Sequence, residues 1–312
     1  MVRYIIKRLL QTVLVLFLVM TLVFVILRVV GDPSKMMVTP DSSYEDLQNI
    51  RRILGLDQPI WKQYLSYLSD VLQGDFGNSY YFERPVVDLL KERLPVTLKL
   101  GFISLAVSLP LALLFGIISA IKRNSLLDNA VTTFVVMGRS VPTFWFALLM
   151  VLVFSVQLKW LPASGYDEPR QLIMPVIAMS SGMGASVTRL TRSSMLDVMR
   201  QDYITTARAK GATETKVIIK HGLHNALLAV VTFVALQIGY MFAGSVVVES
   251  IFAIPGIGRL IVTAIKDYDF PLIQASTLIF ALIFSLINCV ADLCYTLIDP
   301  RISFRTNKGG AA

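Results

Sequence analysis

The residue types that could carry chemistry are few and poorly grouped. His221 and His224, the two histidines of the chain, stand three apart. Two imidazoles without a nearby thiolate or carboxylate make a weak metal site, so the pair is expected to be polar surface or a partner contact. Cys289 and Cys294 lie five apart in one apolar run, where neither spacing nor direction favours a bridge. No stretch reads G-x-x-x-x-G-K-[ST], H-E-x-x-H or G-x-S-x-G. The chain therefore offers no phosphate cradle, no zinc helix and no nucleophile elbow, and no bound cofactor or metal is expected. What remains is charge placed inside apolar runs.

Three such charges need an account, because a charge in hydrocarbon costs several kcal/mol unless it is paired or hydrated. Arg28 lies within a turn of the end of its run and can snorkel. Arg139, in MGRSVPTFW, falls about nine residues from the end of a run, and Asp292 about seven residues from the end of another. At about 1.5 Å per residue the two sit at similar depths, about 14 and 10 Å. They could pair as a gate, or Arg139 could hold a substrate carboxylate by a bidentate contact. A structural hydrogen bond between helices is the plainer reading of each.

The elements that must position these residues are helices in a membrane. Of 312 residues, 55% are apolar and 16% are charged, too little polar surface for a soluble globule. The net charge of +8 is dispersed at the ends of apolar runs rather than grouped with aromatics, which argues against nucleic acid. Six runs are expected to cross: Leu9 to Val30, Leu100 to Ile121, Ala130 to Val156, Leu172 to Val187, Ala226 to Val248 and Leu272 to Ile298. The fourth is short, and with Pro175, Gly182 and Gly184 it is expected to pack against neighbouring helices. Arg3, Lys7 and Arg8 precede the first run, with no small-residue cleavage site after it, so that run is read as a retained span.

Orientation follows from the basic residues. With the amino terminus inside, the cytoplasmic segments hold 15 Lys and Arg and the two short outer loops hold four. Both termini are then expected in the cytoplasm. The long segment from Gly31 to Lys99, with eight basic and ten acidic residues, is expected outside as an extracytoplasmic cap between the first two spans. The remaining boundaries are 1–30 for the amino terminus and first span, 100–302 for a core of five spans, and 303–312 for a short polar cytoplasmic tail.

Between the fourth and fifth spans runs the basic, helix-prone DYITTARAKGATETKVIIKHGLHNALL, Asp202 to Leu228, within a cytoplasmic loop of 189–225. Helix formers run from Ser194 to Lys210, with Ser193 or Ser194 as N-cap, and Gly211 supplies the permissive backbone that ends the helix. Thr213 is expected to cap a second short helix through His221. Helix, glycine turn and helix make a rigid projection that a soluble partner could push.

This segment resembles the cytoplasmic coupling loop of ABC importer permeases. Asp202, Tyr203, Thr206, Ala207, Arg208, Ala209, Lys210 and Gly211 stand as in the dipeptide, oligopeptide and nickel branch, with Thr205 where the family glutamate stands and Ala229 where a proline is common. Other stretches carry the likeness across nearly the whole chain: GDP at Gly31 to Pro33, LGLDQPIWKQYL at Leu54 to Leu65, GDFGNS at Gly74 to Ser79, VESIFAIPGIGRL at Val248 to Leu260 and DLCYTLIDPRI at Asp292 to Ile302. The first three are similar to the first of the two permeases in that branch, the fourth resembles the family and the last the branch. Pro255, Gly256 and Gly258, after Glu249, would permit a re-entrant or interfacial turn at the outer end of a pathway.

The resemblance implies an all-α integral membrane protein with six transmembrane helices, the type I ABC importer permease fold and the cap as an insertion. It implies a bacterial-type inner membrane, a second permease, two ATPase subunits carrying ATP and Mg, and an extracytoplasmic solute-binding protein. The permease itself would be non-catalytic and would move short peptides or a related solute; nickel chelates, glutathione and sugars use similar permeases. A secondary transporter would need ion-coupling acids near mid-depth in repeated halves. Only Asp292 is deep, and no internal repeat is evident.

Overall fold

The computed structural model describes residues 2–36 and 43–298, and the side chains among them except those of 2–5, 30, 35–36 and 291–298. Twelve α-helices follow one another among these residues: α1 (Val2–Val30), α2 (Tyr44–Ile53), α3 (Ile60–Leu72), α4 (Val86–Ile121), α5 (Leu126–Ser140), α6 (Thr143–Met150), α7 (Pro169–Val198), α8 (Asp202–Ala209), α9 (Glu214–Lys216), α10 (His224–Ile251), α11 (Ile257–Lys266) and α12 (Phe270–Ile298). A π-helical segment, Val151–Gln157, prolongs α6, and another, Val217–Leu223, joins α9 to α10.

Among the described residues, four helical stretches are long and apolar enough to cross a membrane: Ile6–Val29, Val86–Ile121, Glu214–Ile251 and Phe270–Val290. A fifth is available if Leu126–Ser140 and Thr143–Gln157, which meet at 106°, form one broken span. The expected third span, Ala130 to Val156, is thus not one straight helix. Pro142 is the cause: its ring drives Val141 out of the helical region, to φ −89° and ψ 122°, and α6 restarts behind it. The expected fourth span lies inside α7, a helix of 30 residues that buries Met174, Val176, Met179, Met183 and Val187 but falls short of the apolarity of the other four. Packing against protein, not lipid, supports it. The helix that carries the second apolar run begins at Val86, 14 residues before that run, so 86–99 is continuous with it.

The chain divides into two compact units. The first comprises Met1–Ile6, Leu98–Ile254 and Phe284–Ala312. Its centre is α7, packed against α10, α5 and α6. Close approach of α4 to α7 depends on Gly116, where a Cβ would come within 2.6 Å of Thr191 Cβ and 2.9 Å of the Thr188 carbonyl. Of the two glycines expected to pack tightly in α7, only Gly184 does: a Cβ there would stand 3.2 Å from Ser108 Oγ, whereas one at Gly182 would meet nothing within 4 Å.

The second unit comprises Lys7–Thr97 and Pro255–Ile283. Its core joins Leu27 of α1, Val86, Leu89 and Leu90 of α4, Ile257, Leu260 and Ala264 of α11, and Leu272 and Ala275 of α12. Residues of the expected cap therefore share a core with a segment nearly two hundred positions away. A buried carboxylate fixes the join: Asp269 accepts from the Ser79 hydroxyl, from Tyr81 N at 3.2 Å and from Leu272 N at 3.2 Å, the last capping α12. The α2 helix is closed by a capping box in which Ser43 and Asp46 bond each other's backbone, and this holds the Asp46 carboxyl below its usual range.

Candidate coupling surface

The Asp202–Gly211 segment forms a short exposed helix with a defined stop. Gln201, extended at φ −76° and ψ 150°, precedes it, and Asp202 sits in the first turn, where a carboxylate meets the positive end of the helix dipole. Ser193 and Ser194 lie within α7 instead, so the expected helix from Ser194 to Lys210 is two helices separated by a turn at 199–201. At the far end Ala212 N bonds the Ala207 carbonyl at 3.2 Å and Gly211 N bonds the Arg208 carbonyl at 2.9 Å. This is a Schellman motif, and Gly211 takes its left-handed position at φ +78°. The second helix does not stop at His221; α9, the π-helical segment and α10 run on to Ile251.

One face of α8 is anchored and the other is open. Ile204 is 0% exposed, Ala207 is half-buried, and Asp202, Tyr203, Thr205, Thr206, Arg208, Ala209 and Lys210 are exposed. Ile204, which is not among the family-like positions of the segment, is the anchor. Arg208 crosses the glycine turn to Glu214 with a forked contact, Nη2 to Oε1 at 2.6 Å and Nε to Oε2 at 3.1 Å. Both groups face solvent, so the pair sets the angle of the turn more than it adds stability. In the same unit Met195, Ala120 and Ala226 form a small core with Met199, Ile218 and Leu223. Gly222 makes room there, since a Cβ would stand 3.0 Å from Met199 Sδ.

The same unit holds an ion pair absent from the expected site. Asp128, whose side chain is 3% exposed, accepts from Arg192 Nε at 2.7 Å and Nη2 at 2.8 Å, from the Ser119 hydroxyl, and from Asn124 N at 2.9 Å. It ties the α4 end, the α4–α5 turn and the start of α5 to α7, ten residues before α8. Its sequence signal was weak: one acid in an N-terminal helical turn after Ser125 reads as an ordinary cap.

A second feature of this unit is a cavity of about 180 Å³ lined by Thr143, Met179, Gly182, Met183, Gln237, Tyr240, Met241 and Gly244. The open Cβ positions at Gly182 and Gly244 explain it, and Tyr240 is 69% exposed at its edge. Its wall combines three methionines and two glycines with the polar groups of Thr143, Gln237 and Tyr240.

The other expected residues fall in different settings. Arg139 is exposed in the last turn of α5, beside the break at Pro142, where a cation meets helix carbonyls. Its mid-helix position rested on an unbroken third span. The Asp292 side chain lies outside the described side chains, as does Cys294, so the Arg139–Asp292 pair is not on view. His221 is half-buried and His224 exposed, and no group of three metal-ligating side chains occurs among the described residues. Glu249 is fully buried near the end of α10. The turn after it closes with Ala253 left-handed at φ 54° and Ile254 N on the Glu249 carbonyl at 2.9 Å. Pro255 and Gly256 then lead into α11, with Ile257 N held by Thr97 Oγ1 at 2.8 Å and Gly258 buried. The expected turn is thus a turn plus a ten-residue helix.

A family model described as "Binding-protein-dependent transport system inner membrane component" matches residues 112–304, and one described as the N-terminal part of such a membrane component matches residues 1–101. Similar proteins include the glutathione transport system permease protein GsiC of Escherichia coli (strain K12) and of Shigella dysenteriae serotype 1 (strain Sd197). Each is 42% identical over 306 residues, covering 98% of this chain and 100% of the relative. Among solved structures, an inward-facing form of the MetNI methionine ABC transporter aligns with a TM-score of 0.58 at 19% identity, over 68% of this chain and 96% of that one. An amino acid ABC transporter crystallised with histidines aligns at 0.52 and 16%, over 68% and 94%.

Proposed function

We propose, from the premise that the chain belongs to the binding-protein-dependent transport system inner membrane component family and is a permease subunit of an ABC importer, that its cargo is a short peptide of the glutathione class. The observation that supports this cargo is 42% identity over 98% of the chain to permeases named for glutathione transport. The permease is non-catalytic and sits in the inner membrane as a multi-pass protein, with ATP hydrolysed by partner subunits. Its assembly contains a partner permease, ATPases and a binding protein. In our reading the partner is a second, different permease, there are two ATPases with ATP and Mg, and both termini lie in the cytoplasm.

The exposed face of α8 is then the surface that docks on an ATPase. Ile204 fixes the helix to the permease, Gly211 and the Arg208–Glu214 fork set its angle, and the Asp128–Arg192 pair passes motion of α7 to α4 and α5. The cavity along α6, α7 and α10 forms part of the path, which alternates between outward-open and inward-open states. ATP-dependent uptake of labelled glutathione and of dipeptides by the reconstituted assembly tests the reading. Uptake of glutathione that needs both ATP and the binding protein is expected. Uptake without ATP would point to a secondary transporter, and ATP-dependent uptake of nickel chelates or sugars alone would replace the cargo.

A further inference from the structure

The second unit contains a cavity of about 260 Å³, bordered by α1, the α2–α3 turn, α3, residues 75–77 and the start of α12. That volume admits several waters or one small solute. Its lining carries both signs, Arg28 as cation and Asp70 and Asp75 as anions, with Gln63, Tyr67 and Gln274 as neutral hydrogen-bonding groups. Hydrogen-bonding capacity is left unused there. Among the described residues, seven buried side-chain N or O atoms have no partner, and three of them belong to this one wall: Arg28 Nε, Gln63 Oε1 and Tyr67 OH. A buried polar atom without a partner costs about 1–3 kcal/mol, so three in one place favour a wall that rearranges to meet a further polar group.

Gln63 is held only through its amide nitrogen, by the Leu56 and Gln58 carbonyls at 3.4 and 2.7 Å. Phe24 carries the Arg28 guanidinium over its ring at 5.1 Å and stacks on Tyr67 at 5.8 Å, which keeps cation and phenol near each other. Burial pushes the Tyr67 hydroxyl up to about 12, so it stays a neutral donor. Asp75 spends one oxygen on Gly77 N at 2.8 Å, and Asp70 has a long contact of 3.5 Å from Ser66 Oγ, so both keep lone pairs for a further donor.

We propose that this cavity is a receiving subsite for a peptide-like zwitterion, with the ammonium on Asp70 and Asp75 and the carboxylate or adjoining carbonyl on Arg28 and Tyr67. Two anions against one cation favour a ligand with a free ammonium. The proposal rests on the importer reading only for where the solute comes from; recognition rests on the lining.

The test is equilibrium binding of labelled glycylglycine and glutathione to the assembled importer in lipid nanodiscs without the binding protein. Saturable binding of at least one is expected, with its N-acetylated form at least about tenfold weaker because a charge-assisted bond is lost. Tyr67→Phe keeps the ring stacked and removes only the hydroxyl, and should weaken binding about three- to tenfold with an unchanged thermal midpoint. Absence of saturable binding of either probe, equal binding of the acetylated form, or no effect of Tyr67→Phe overturns the subsite and leaves a water-filled cavity only. Uptake with the binding protein, measured on the same preparations, separates the two readings. Uptake without this binding leaves the cargo assignment standing and removes the subsite, and binding without uptake does the reverse.

Discussion

Arg192 holds Asp128 with two nitrogens of its guanidinium, 2.7 Å from one carboxylate oxygen and 2.8 Å from the other, in a pocket that Ser119 and the backbone of Asn124 complete. Lysine cannot reproduce this fork. Because the carboxylate is buried, removing one partner strands the other, at a cost of about 3–5 kcal/mol. Asp128→Ala and Arg192→Ala should each lower the thermal midpoint of the assembled importer and its binding-protein-stimulated ATPase. A double-mutant cycle should return a coupling above about 1 kcal/mol. Simple additivity would show that the two side chains do not act together.

The turn at Gly211 should be sensitive to backbone strain alone. A Cβ there meets nothing within 4 Å, yet φ is +78°, which costs a β-branched residue more than about 1 kcal/mol. Gly211→Val is therefore expected to leave membrane insertion intact while uptake and stimulated ATPase both fall. Survival of both activities would remove the docking role from α8.

Asp269 should matter for folding of the second unit and not for docking. It is fully buried and accepts from Ser79, Tyr81 N and Leu272 N, so Asp269→Ala leaves three donors without their acceptor. A loss of about 2–4 kcal/mol is expected, read as a lower unfolding midpoint in detergent. Asp269→Asn, which keeps an acceptor oxygen, should lose less. Equal losses would mean that charge and not hydrogen bonding carries the site.

Topology can be read with an impermeant thiol reagent on cells, in a background without Cys289 and Cys294. Asn49→Cys is a better outer reporter than a change at Ser43, whose hydroxyl caps α2 by accepting from Asp46 N at 3.1 Å. Thr215, exposed on α9, serves the other side. Labelling at 49 and protection at 215 is expected. The reverse pattern would turn the protein over in the membrane.

The class of the protein is legible in its local sequence. Apolar runs of membrane length, charges dispersed at their ends and the DYITTARAKG segment were sufficient, because hydropathy and glycine-dependent turns are local properties. Gly211 was legible for that reason: a helix that must end in a left-handed residue records the need in one position. The break of the third span was also written locally, in Val141–Pro142, yet was read through because the flanking residues are apolar enough to hide it. The long-range pairings came from packing. Arg192 finds Asp128 across 64 positions, Asp269 finds Ser79 across 190, and the wall of Arg28, Gln63 and Tyr67 meets the start of α12. Such partners are selected by packing of distant helices, which leaves no period or spacing in the chain. A buried charge is read from sequence only as a charge; which opposite group satisfies it is fixed when the helices close around both.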